Sequence, residues 1–253
     1  MKLIKVKGIV IREIQYKEND KIITLLTDKL GKISCMARSA KKNNSPLLSS
    51  SQFLVYSEFL LYKGKNFYHV NSAELIDSFY NLRIDYDKLE KAFELTKVLN
   101  KVVYEEEENT GVLSLYLNTL YILDKKDKNS RLLKNIFTLK LLCLLGYLPN
   151  VYKCCKCHKK MLEETEDKNN DIDGLLYYDK TSSSAICGSC VKEFSEKDIL
   201  NMKRYQTISE TALYAILYTI SCDIKKVFNF EITGKVLEEY DKYINDYYMG
   251  QIM

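Results

Sequence analysis

The sequence of 253 residues predicts an α+β protein in which a small β-barrel precedes an all-helical domain. Three observations carry this prediction. Residues 3 to 77 are rich in Val, Ile, Tyr and Phe and partly alternate apolar with polar residues. Apolar residues after about residue 80 recur at a helical period. Residues 150 to 195 lose that period and hold five of the eight cysteines. We therefore expect domains at residues 1–80 and 81–253, with residues 150–195 inserted in the second.

The first domain is predicted to contain five strands, with the sequences LIKVKGIVIREIQY, KIITLLT, GKISCMAR, FLVYSEFLLY and FYHVNSAELI. Glycine turns at residues 28–32 and 63–66 predict that the second strand pairs with the third, and the fourth with the fifth, as hairpins. The polar link at residues 39–51 is expected to be a mobile surface loop. Five strands in fewer than 80 residues are typical of a small barrel such as the OB-fold.

The second domain is predicted to begin with a helix whose buried face comprises Leu82, Tyr86, Leu89, Phe93, Thr96, Leu99 and Val103. Two more helices are expected at about residues 110–123 and 130–145, and Gly146 with Pro149 ends the latter. Capping-box spacings at Ser195 to Asp198 and at Thr207 to Glu210 predict further helix starts, and a last helix is expected at about residues 231–248.

The inserted segment contains two CxxC pairs, Cys154 with Cys157 and Cys187 with Cys190. Two such pairs can bring four thiolates together around a zinc ion with tetrahedral geometry. The 29 intervening residues exceed the usual spacing of about 15 to 20. We therefore expect a longer hairpin, with a strand at residues 174–179 and a flexible polar tip at residues 163–171. The sequence thus predicts a structural Zn²⁺ site with these four cysteines as ligands.

Two alternative interpretations of this segment stay open. One is a thioredoxin-like redox pair, which neither CxxC favours because neither stands in a βαβ setting. The other is that Cys155 or His158 replaces a ligand, and Cys155 is set aside because its side chain would diverge from that of Cys154. The remaining cysteines lie within strand or helix patterns and are predicted to be buried small apolar residues; they are Cys35, Cys143 and Cys222.

The charge of the chain is unevenly distributed. Residues 1–80 carry 13 Lys+Arg against 7 Asp+Glu, whereas the remaining residues carry 25 against 27, so the positive excess lies in the N-terminal third. The N-terminus has no apolar run of signal-peptide length, and no stretch reaches the roughly 18 apolar residues of a membrane span. We therefore expect a cytoplasmic protein that does not engage a membrane, in which cysteines stay reduced.

Aromatic residues are interleaved with the cations of the first domain, among them Tyr16, Phe53, Tyr62, Phe67 and Tyr68. In an OB-type barrel, cations follow the phosphates of a single strand and aromatic rings stack on its bases. We therefore predict a nucleic-acid surface that contains nine cations, Lys5, Lys7, Arg12, Lys32, Arg38, Lys41, Lys42, Lys63 and Lys65.

Catalytic motifs are missing from the sequence. It has no Gly-rich phosphate loop, HExxH or GxSxG motif, and neither His69 nor His158 has a recognisable nucleophile partner. We therefore do not predict an enzyme.

The order of these parts, and three stretches in particular, resemble the RecO family of bacterial recombination mediators over nearly the full chain. The stretches are KVKGIVIREIQYKENDKIITLLTDKLGKISCMARSAKK, FTLKLLCLLGYLPNVYKCCKC and AICGSC. The resemblance implies an N-terminal OB-fold, a C-terminal helical domain and, in members that keep the cysteines, a zinc-binding loop. It also implies a nonenzymatic, nucleoid-associated role in DNA repair. In that role the protein binds single- and double-stranded DNA, anneals complementary strands and helps to load RecA onto DNA coated with single-strand-binding protein.

The resemblance further implies two protein partners, RecR and the C-terminal tail of single-strand-binding protein. The tail docks on the helical domain in the family, and we predict Lys134 and Lys140 beside the 130–145 helix as its contacts. The chain departs from the family pattern at two places. His158 stands where relatives often have glycine after the second cysteine, and SSSA at residues 182–185 replaces a glycine pair before the third. The turns of the zinc loop are therefore expected to differ.

Two rival functions stay open beside the DNA-binding mediator. One is a zinc-ribbon scaffold whose barrel binds protein and not nucleic acid. The other is a metal-dependent enzyme, which would need an open coordination position on its zinc ion.

Overall fold

The structure is a computed structural model that describes residues 2–65, 67–105, 107, 110–126, 128–162, 176–192 and 204–252. The chain divides by its internal contacts into one unit of residues Met1–Lys128 and another of Asn129–Met253. The predicted domain boundary between residues 80 and 81, and the inserted segment at 150–195, stay predictions. Within the described residues, every helix is too short or too polar to cross a membrane.

The first unit contains the predicted five strands, β1 (Leu3–Tyr16), β2 (Asp20–Thr27), β3 (Lys32–Ala37), β4 (Tyr56–Lys63) and β5 (Tyr68–Asp77). They form a closed barrel in the order β1-β2-β3-β5-β4. Both predicted hairpins, β2 with β3 and β4 with β5, are antiparallel pairs as expected. The pairing of β3 with β5 is parallel and closes the barrel.

The barrel closes with a large stagger along β1. One outward-facing row of paired residues runs from Leu3 of β1 through Tyr62, His69, Met36 and Ile22, and returns to β1 at Ile14. The row therefore rejoins β1 eleven residues beyond its start, and one of those residues lies in the β-bulge between Val10 and Arg12. Such a shift tilts the strands, and the tilt allows few strands to enclose a filled core.

Side chains that alternate with this outer row point into the barrel and form its core. The core contains Val6, Val10, Ile23, Leu25, Ile33, Cys35, Phe59 and Leu61, each at most 2% exposed. Burial raises the pKa of the Cys35 thiol far above its ordinary value, so this cysteine serves as a small apolar residue, as predicted. Cys143 and Cys222, for which the same was predicted, are only partly buried.

The link between β3 and β4 is more structured than the surface loop expected from its polar sequence. Residues Leu47–Ser50 form a one-turn helix, α1. Ala40 and Leu47 are 0% and 6% exposed and belong to the barrel core. The prediction of a surface loop was wrong for these residues because two apolar side chains among many polar ones are enough to anchor the link.

Three further helices complete the first unit, α2 (Tyr80–Ile84), α3 (Tyr86–Val102) and α4 (Thr110–Lys125). The single helix predicted from residue 82 is broken at Asp85, whose extended backbone caps α3 and whose carboxylate accepts a hydrogen bond from the Lys88 amide. Of the predicted buried face, Leu82, Thr96, Leu99 and Val103 are buried, whereas Tyr86 and Phe93 are 80% and 45% exposed. Besides Thr96 and Leu99, the buried residues of α3 are Ala92, Leu95, Val98 and Val102.

The second unit contains the helices α5 (Ser130–Leu144), α6 (Gly188–Lys192), α7 (Glu210–Ser221) and α8 (Gly234–Ile252). It also contains a small antiparallel sheet in the order β7-β6-β8, with strands β6 (Leu176–Asp179), β7 (Ala185–Cys187) and β8 (Tyr205–Ile208). The predicted strand at residues 174–179 corresponds to β6, whereas β8 was not predicted. The polar tip at residues 163–171 lies outside the described residues.

The helix ends of the second unit test the capping predictions. α5 ends as predicted, because Gly146 adopts a positive φ of 91° and the Tyr147 amide donates back to the Leu142 carbonyl over 3.0 Å. The predicted cap at Thr207 was wrong, since Thr207 lies in β8 and Ser209 caps α7 by accepting from the Ala212 amide. The predicted capping box at Ser195 to Asp198 lies outside the described residues.

Candidate metal centre and nucleic-acid interface

The first CxxC pair lies in a tight turn that its own backbone closes. The Met161 amide donates to the Tyr152 carbonyl over 3.1 Å, and the Cys154 amide donates to the Lys159 carbonyl over 2.8 Å. Inside this hairpin, the His158 amide returns to the Cys154 carbonyl over 3.0 Å. The turn places the Cys154 and Cys157 side chains on the same side, which is what a metal-binding knuckle requires.

The second pair is placed by the junction of β7 with α6. Cys187 ends the strand, and Cys190 lies within the first turn of the helix that follows. Two hydrogen bonds hold this pair against the first: the Cys155 amide donates to the Ala185 carbonyl over 2.9 Å, and the Cys187 amide donates to the Cys154 sulfur over 3.5 Å. Backbone bonds therefore bring the two pairs together.

The four sulfur atoms converge as the two CxxC pairs predict. The Sγ atoms of Cys154, Cys157, Cys187 and Cys190 all lie within 4.8 Å of one another. The Sγ atoms of Cys157 and Cys187 are 3.7 Å apart, and all eight cysteines of the chain are free of disulfides. Cys154 and Cys190 are buried, whereas Cys157 faces solvent. The four thiols can hold a metal ion.

The electrostatics of the cluster favour an ionised Cys154. Burial opposes ionisation of this thiol, but backbone amides of Cys187, Cys157 and Lys156 outweigh it and lower its pKa to about 6. Burial raises the pKa of Cys187, and it raises that of Cys190 together with the neighbouring sulfurs. Four thiols packed this closely cannot all ionise without a cation among them, so a bound metal ion would favour the anionic form of the set.

The two residues set aside in the sequence stay outside the cluster. Cys155 is exposed and contributes its backbone amide, and His158 is exposed beside the first turn. The second CxxC does stand between a strand and a helix, yet the sheet that the described residues form there is antiparallel. The setting therefore lacks the parallel βαβ unit of a thioredoxin-like redox site.

Both departures from the family's glycines adopt glycine-like backbone. His158 has φ 60° and Ser183 has φ 52°, in the left-handed region where residues with a Cβ are strained. Ser183 is 2% exposed, and its carbonyl accepts a hydrogen bond from the Tyr243 hydroxyl over 3.0 Å. These two residues therefore adopt a conformation that glycine favours, and the expected difference of the turns from the family's stays a prediction.

The nine predicted nucleic-acid cations occupy three places on the barrel unit. The first place is β1, with Lys5, Lys7 and Arg12. The second is β3, which begins at Lys32, and the link after it, with Arg38, Lys41 and Lys42. The third is the β4–β5 turn, with Lys63 and Lys65. Lys7, Arg12, Arg38, Lys42, Lys63 and Lys65 are exposed, whereas Lys41 is partly buried. Exposed cations on strands and loops match the arrangement that follows a phosphate backbone.

Two of the nine cations have an ion-pair or hydrogen-bond partner among the described residues. The Lys5 ammonium lies 2.6 Å from a Glu58 carboxylate oxygen, which raises the pKa of this lysine. The Lys32 ammonium donates to the Asn100 carbonyl at the end of α3 over 3.4 Å. Burial lowers the pKa of Lys32, and the nearby Glu105 opposes that effect. Both lysines therefore have a structural role beside any contact with nucleic acid.

An aromatic cluster surrounds the β4–β5 turn. The rings of Tyr62 and His69 are stacked with their centroids 4.9 Å apart, and the Lys63 ammonium lies 5.6 Å from the centre of the Tyr68 ring. Gly64 is required here, because a Cβ at this position would come within 2.5 Å of the His69 ring. His69 thus stacks on a neighbouring ring.

Sequence reasoning missed a second cluster, at a cleft of about 310 Å³ that Phe53, Phe93, Lys97 and Arg12 line within the first unit. Phe93 and Lys97 are four residues apart on α3, so they share one helix face. The pattern assigned Phe93 to the buried face. Phe93 stacks on Phe53, which comes from the link before β4, so no local signal in α3 could have found this pair.

The two lysines predicted as tail contacts lie on α5 in different surroundings. Lys134 is partly buried. Lys140 is 7% exposed, and its ammonium donates to the carbonyls of Ile220 and Cys222 over 2.8 and 2.5 Å. These carbonyls belong to the last turn of α7 and its cap, so Lys140 satisfies groups that the helix end leaves unpaired.

Comparison with known proteins gives matches along nearly the whole chain. Residues 1–79 match the family model described as Recombination protein O N terminal, and residues 83–252 match the one described as Recombination protein O C terminal. The chain is 34% identical to the DNA repair protein RecO of Acetivibrio thermocellus over 251 residues, which cover 99% of this chain and 92% of the relative. It is 30% identical to the DNA repair protein RecO of Caldicellulosiruptor saccharolyticus, over 92% of this chain and 86% of the relative. It is also 30% identical to that of Clostridium acetobutylicum, over 94% of this chain and 88% of the relative.

Proposed function

Since the chain belongs to the RecO family and therefore has a role in DNA repair and recombination, we propose that it is a nonenzymatic recombination mediator. In this role it binds single- and double-stranded DNA, anneals complementary strands and helps RecA to load onto DNA coated with single-strand-binding protein. The protein works with RecR, in the cytoplasm at the nucleoid. The match of both family models to this chain carries the proposal.

The DNA-binding part of the proposal is supported by the outer surface of the barrel. Arg38 and Lys42 are exposed just after β3, and neither has an acidic partner among the described residues. Phosphate groups bind such cations without a large desolvation cost and release counterions from the DNA. Lysine and arginine at these positions supply affinity for any sequence, which suits a protein that must act wherever DNA is damaged.

The cysteine cluster is proposed to hold a structural zinc ion. Four thiolates are the donor set that zinc prefers at closed structural sites. Sulfurs about 2.3 Å from a tetrahedral zinc stand about 3.8 Å apart, and the distance between the Cys157 and Cys187 sulfurs is 3.7 Å. A site with four protein sulfurs leaves no open position for substrate, which argues against the metal-dependent enzyme.

The tail of single-strand-binding protein is proposed to contact the second unit near Lys134. To bind an acidic tail, the Lys140 ammonium would have to leave two carbonyl acceptors. Replacing Lys134 with Ala should therefore weaken the tail peptide's binding more than it weakens folding, whereas Lys140→Ala should lower the stability of the second unit.

Fluorescence anisotropy with labelled single-stranded DNA over a salt series tests the proposal. Affinity should fall steeply as salt rises, because bound phosphates release counterions. Reversing Arg38, Lys41 and Lys42 to Glu should weaken binding by roughly tenfold or more at low salt. The control reverses three lysines of the second unit, Lys225, Lys226 and Lys235, which gives the same net charge.

The rival scaffold function makes the opposite prediction. Binding that is absent, or that ignores salt, would contradict a DNA-binding mediator and favour a barrel that binds protein. Annealing of complementary strands precoated with the cognate single-strand-binding protein then tests the mediator step itself. A protein that binds DNA and yet fails to anneal coated strands would retain the DNA-binding function alone.

A further inference from the structure

The cleft beside α3 has an aromatic floor that is already stacked. The rings of Phe53 and Phe93 lie with their centroids 4.5 Å apart and their planes 17° from parallel. Ile11 of the β1 bulge and Thr96 also line the cleft, and both side chains are buried. Phe93 is therefore held in one orientation by contacts on its inner side.

The outer side of the same ring is open to solvent. Phe93 is 45% exposed, although it lies on the helix face turned toward a cleft of about 310 Å³. An exposed aromatic ring that is fixed by stacking loses little conformational entropy when a second flat group stacks on it. The pair of rings thus presents a preformed platform for one further planar group.

The rim of the cleft is positively charged. Arg12 and Lys97 are exposed there, and neither has an ion-pair partner within the described ranges of the chain. Glu13 is the carboxylate that lines the cleft, and its charge is offset because the Lys21 ammonium lies 2.8 Å away. Two unpaired cations beside an open ring therefore favour a ligand that is both flat and anionic.

We propose that this cleft binds one nucleotide of a single strand, with its base stacked on Phe93 and its phosphate between Arg12 and Lys97. The proposal rests on the DNA-binding function above and assigns that function a position. A base in a duplex is stacked on both faces and cannot add to the ring pair, so the site selects single strands over double strands. An acidic peptide with an aromatic residue is the competing occupant, but the ring geometry favours a base.

The first test measures affinity for a short oligothymidine by anisotropy. Phe93→Ala should weaken binding roughly tenfold, since base stacking on an aromatic ring contributes that much, and Phe93→Tyr should retain most of it. Tyr121→Ala removes another exposed aromatic of the same unit and is expected to leave affinity unchanged. Duplex binding should change little in Phe93→Ala. Equal losses for single strands and duplex would overturn the proposal.

The second test separates the phosphate contact from general charge. Lys97→Ala should lower the slope of log affinity against log salt by about one. Lys101→Ala removes a lysine one turn along the same helix that does not line the cleft, and the slope should stay close to that of the unaltered protein. Equal slopes for Lys97→Ala and the unaltered protein would contradict the site.

A crosslink locates the base directly. Oligonucleotides that carry 5-iodouracil should crosslink on irradiation to a peptide that contains Phe93. Crosslinks elsewhere on the barrel, with DNA affinity unaffected in Phe93→Ala, would reject this site while leaving the DNA-binding function standing. An acidic peptide that binds Phe93-dependently and leaves DNA bound would identify the cleft as a peptide site. A complete lack of DNA binding by the unaltered protein would refute the proposed function itself.

Discussion

The barrel and the four-cysteine cluster hold their backbones in place by different means. The barrel surrounds thirteen buried residues, of which the strands contribute eleven and the β3–β4 link contributes Ala40 and Leu47. The described residues of the cysteine segment bury only five apolar side chains besides the cysteines, namely Val151, Met161, Tyr178, Ala185 and Ile186. Apolar burial can sustain the first region, whereas for the second we propose that ligation of a metal by the sulfurs adds to the burial.

This difference determines how each region responds to substitution. In the barrel, function is proposed for outward side chains, which can change without disturbing the core. In the cysteine segment the proposed ligands are also the structural centre, so a single altered sulfur affects the whole segment.

The largest effect is expected for the cysteine cluster. Cys187→Ser removes one of the four sulfurs and should abolish stoichiometric metal binding. The effect should be large, because zinc binding at a structural site contributes about 10–16 kcal/mol in small peptides. The second unit should lose stability while the barrel unit keeps its own. Metal content by mass spectrometry, with hydrogen exchange of each unit, measures both outcomes.

The control for this change is the adjacent thiol. Cys155→Ser alters an exposed cysteine outside the cluster and should keep the metal at full stoichiometry. Loss of metal from Cys155→Ser, or full retention in Cys187→Ser, would show that the ligand set is different.

In the barrel unit, we expect a large loss of stability at a position where an added side chain would overlap the backbone. Gly31 has φ 62°, and a Cβ at this position would lie 2.0 Å from the Glu107 carbonyl oxygen. We expect Gly31→Ala to lower the free energy of unfolding of the first unit by about 2–4 kcal/mol, since it adds both backbone strain and overlap. Urea denaturation measures it. Gly250→Ala meets no atom within 4 Å and should be nearly neutral.

An intermediate effect is expected where helices α5 and α8 meet. The Asp241 carboxylate accepts hydrogen bonds from Arg131 and, over 2.8 Å, from the buried Asn135 amide. Burial opposes ionisation of Asp241, but these donors outweigh it and hold its pKa below the ordinary value of 3.8. Asp241→Asn should cost about 1–2 kcal/mol at neutral pH.

The sign of the pH dependence follows from this lowered pKa. The carboxylate's contribution is complete above the unfolded value of 3.8 and disappears as pH falls through the lower folded value. The difference in unfolding free energy between the unaltered protein and Asp241→Asn should therefore shrink below about pH 4. A difference that stays constant down to pH 2 would contradict the assigned role. The control is Glu90→Gln, which alters an exposed residue whose carboxylate lies 3.8 Å from the Lys91 ammonium.

The smallest effect is a gain in stability. His158→Gly replaces a residue at φ 60° with the one that prefers this conformation, and should stabilise the first knuckle by about 1 kcal/mol. Resistance of the bound metal to a chelator should rise accordingly. His158→Ala keeps the Cβ and should show no such gain, so equal behaviour of the two variants would mean that the strain is relieved elsewhere.

Sequence patterns predicted those features that depend on local periodicity. The five strands, both hairpins and the end of α5 at Gly146 were found because alternation, glycine turns and helix stops are short-range signals. The convergence of the four cysteines was predictable because the CxxC spacing itself shapes the turn.

Features decided by tertiary contacts were not predictable in this way. Lys140 is a charged residue of the kind usually found at a protein surface. Its ammonium nevertheless donates to the end of α7, a helix that comes much later in the chain. Phe93 fitted the apolar period of its helix, yet its ring stacks on Phe53 and stays 45% exposed. In each case a partner distant in sequence determines where the side chain lies.

The stagger of β1 also constrains the order in which the barrel can form. Its N-terminal half pairs with β4 and its C-terminal half with β2, so the first strand to be synthesised holds both sides of the closure. A chain leaving the ribosome can build the β2–β3 hairpin early, but the start of β1 has no partner until β4 has emerged. Closure is thus a late, long-range event, because the parallel pairing of β3 with β5 that completes the barrel joins only Cys35 with Tyr68 and Met36 with His69.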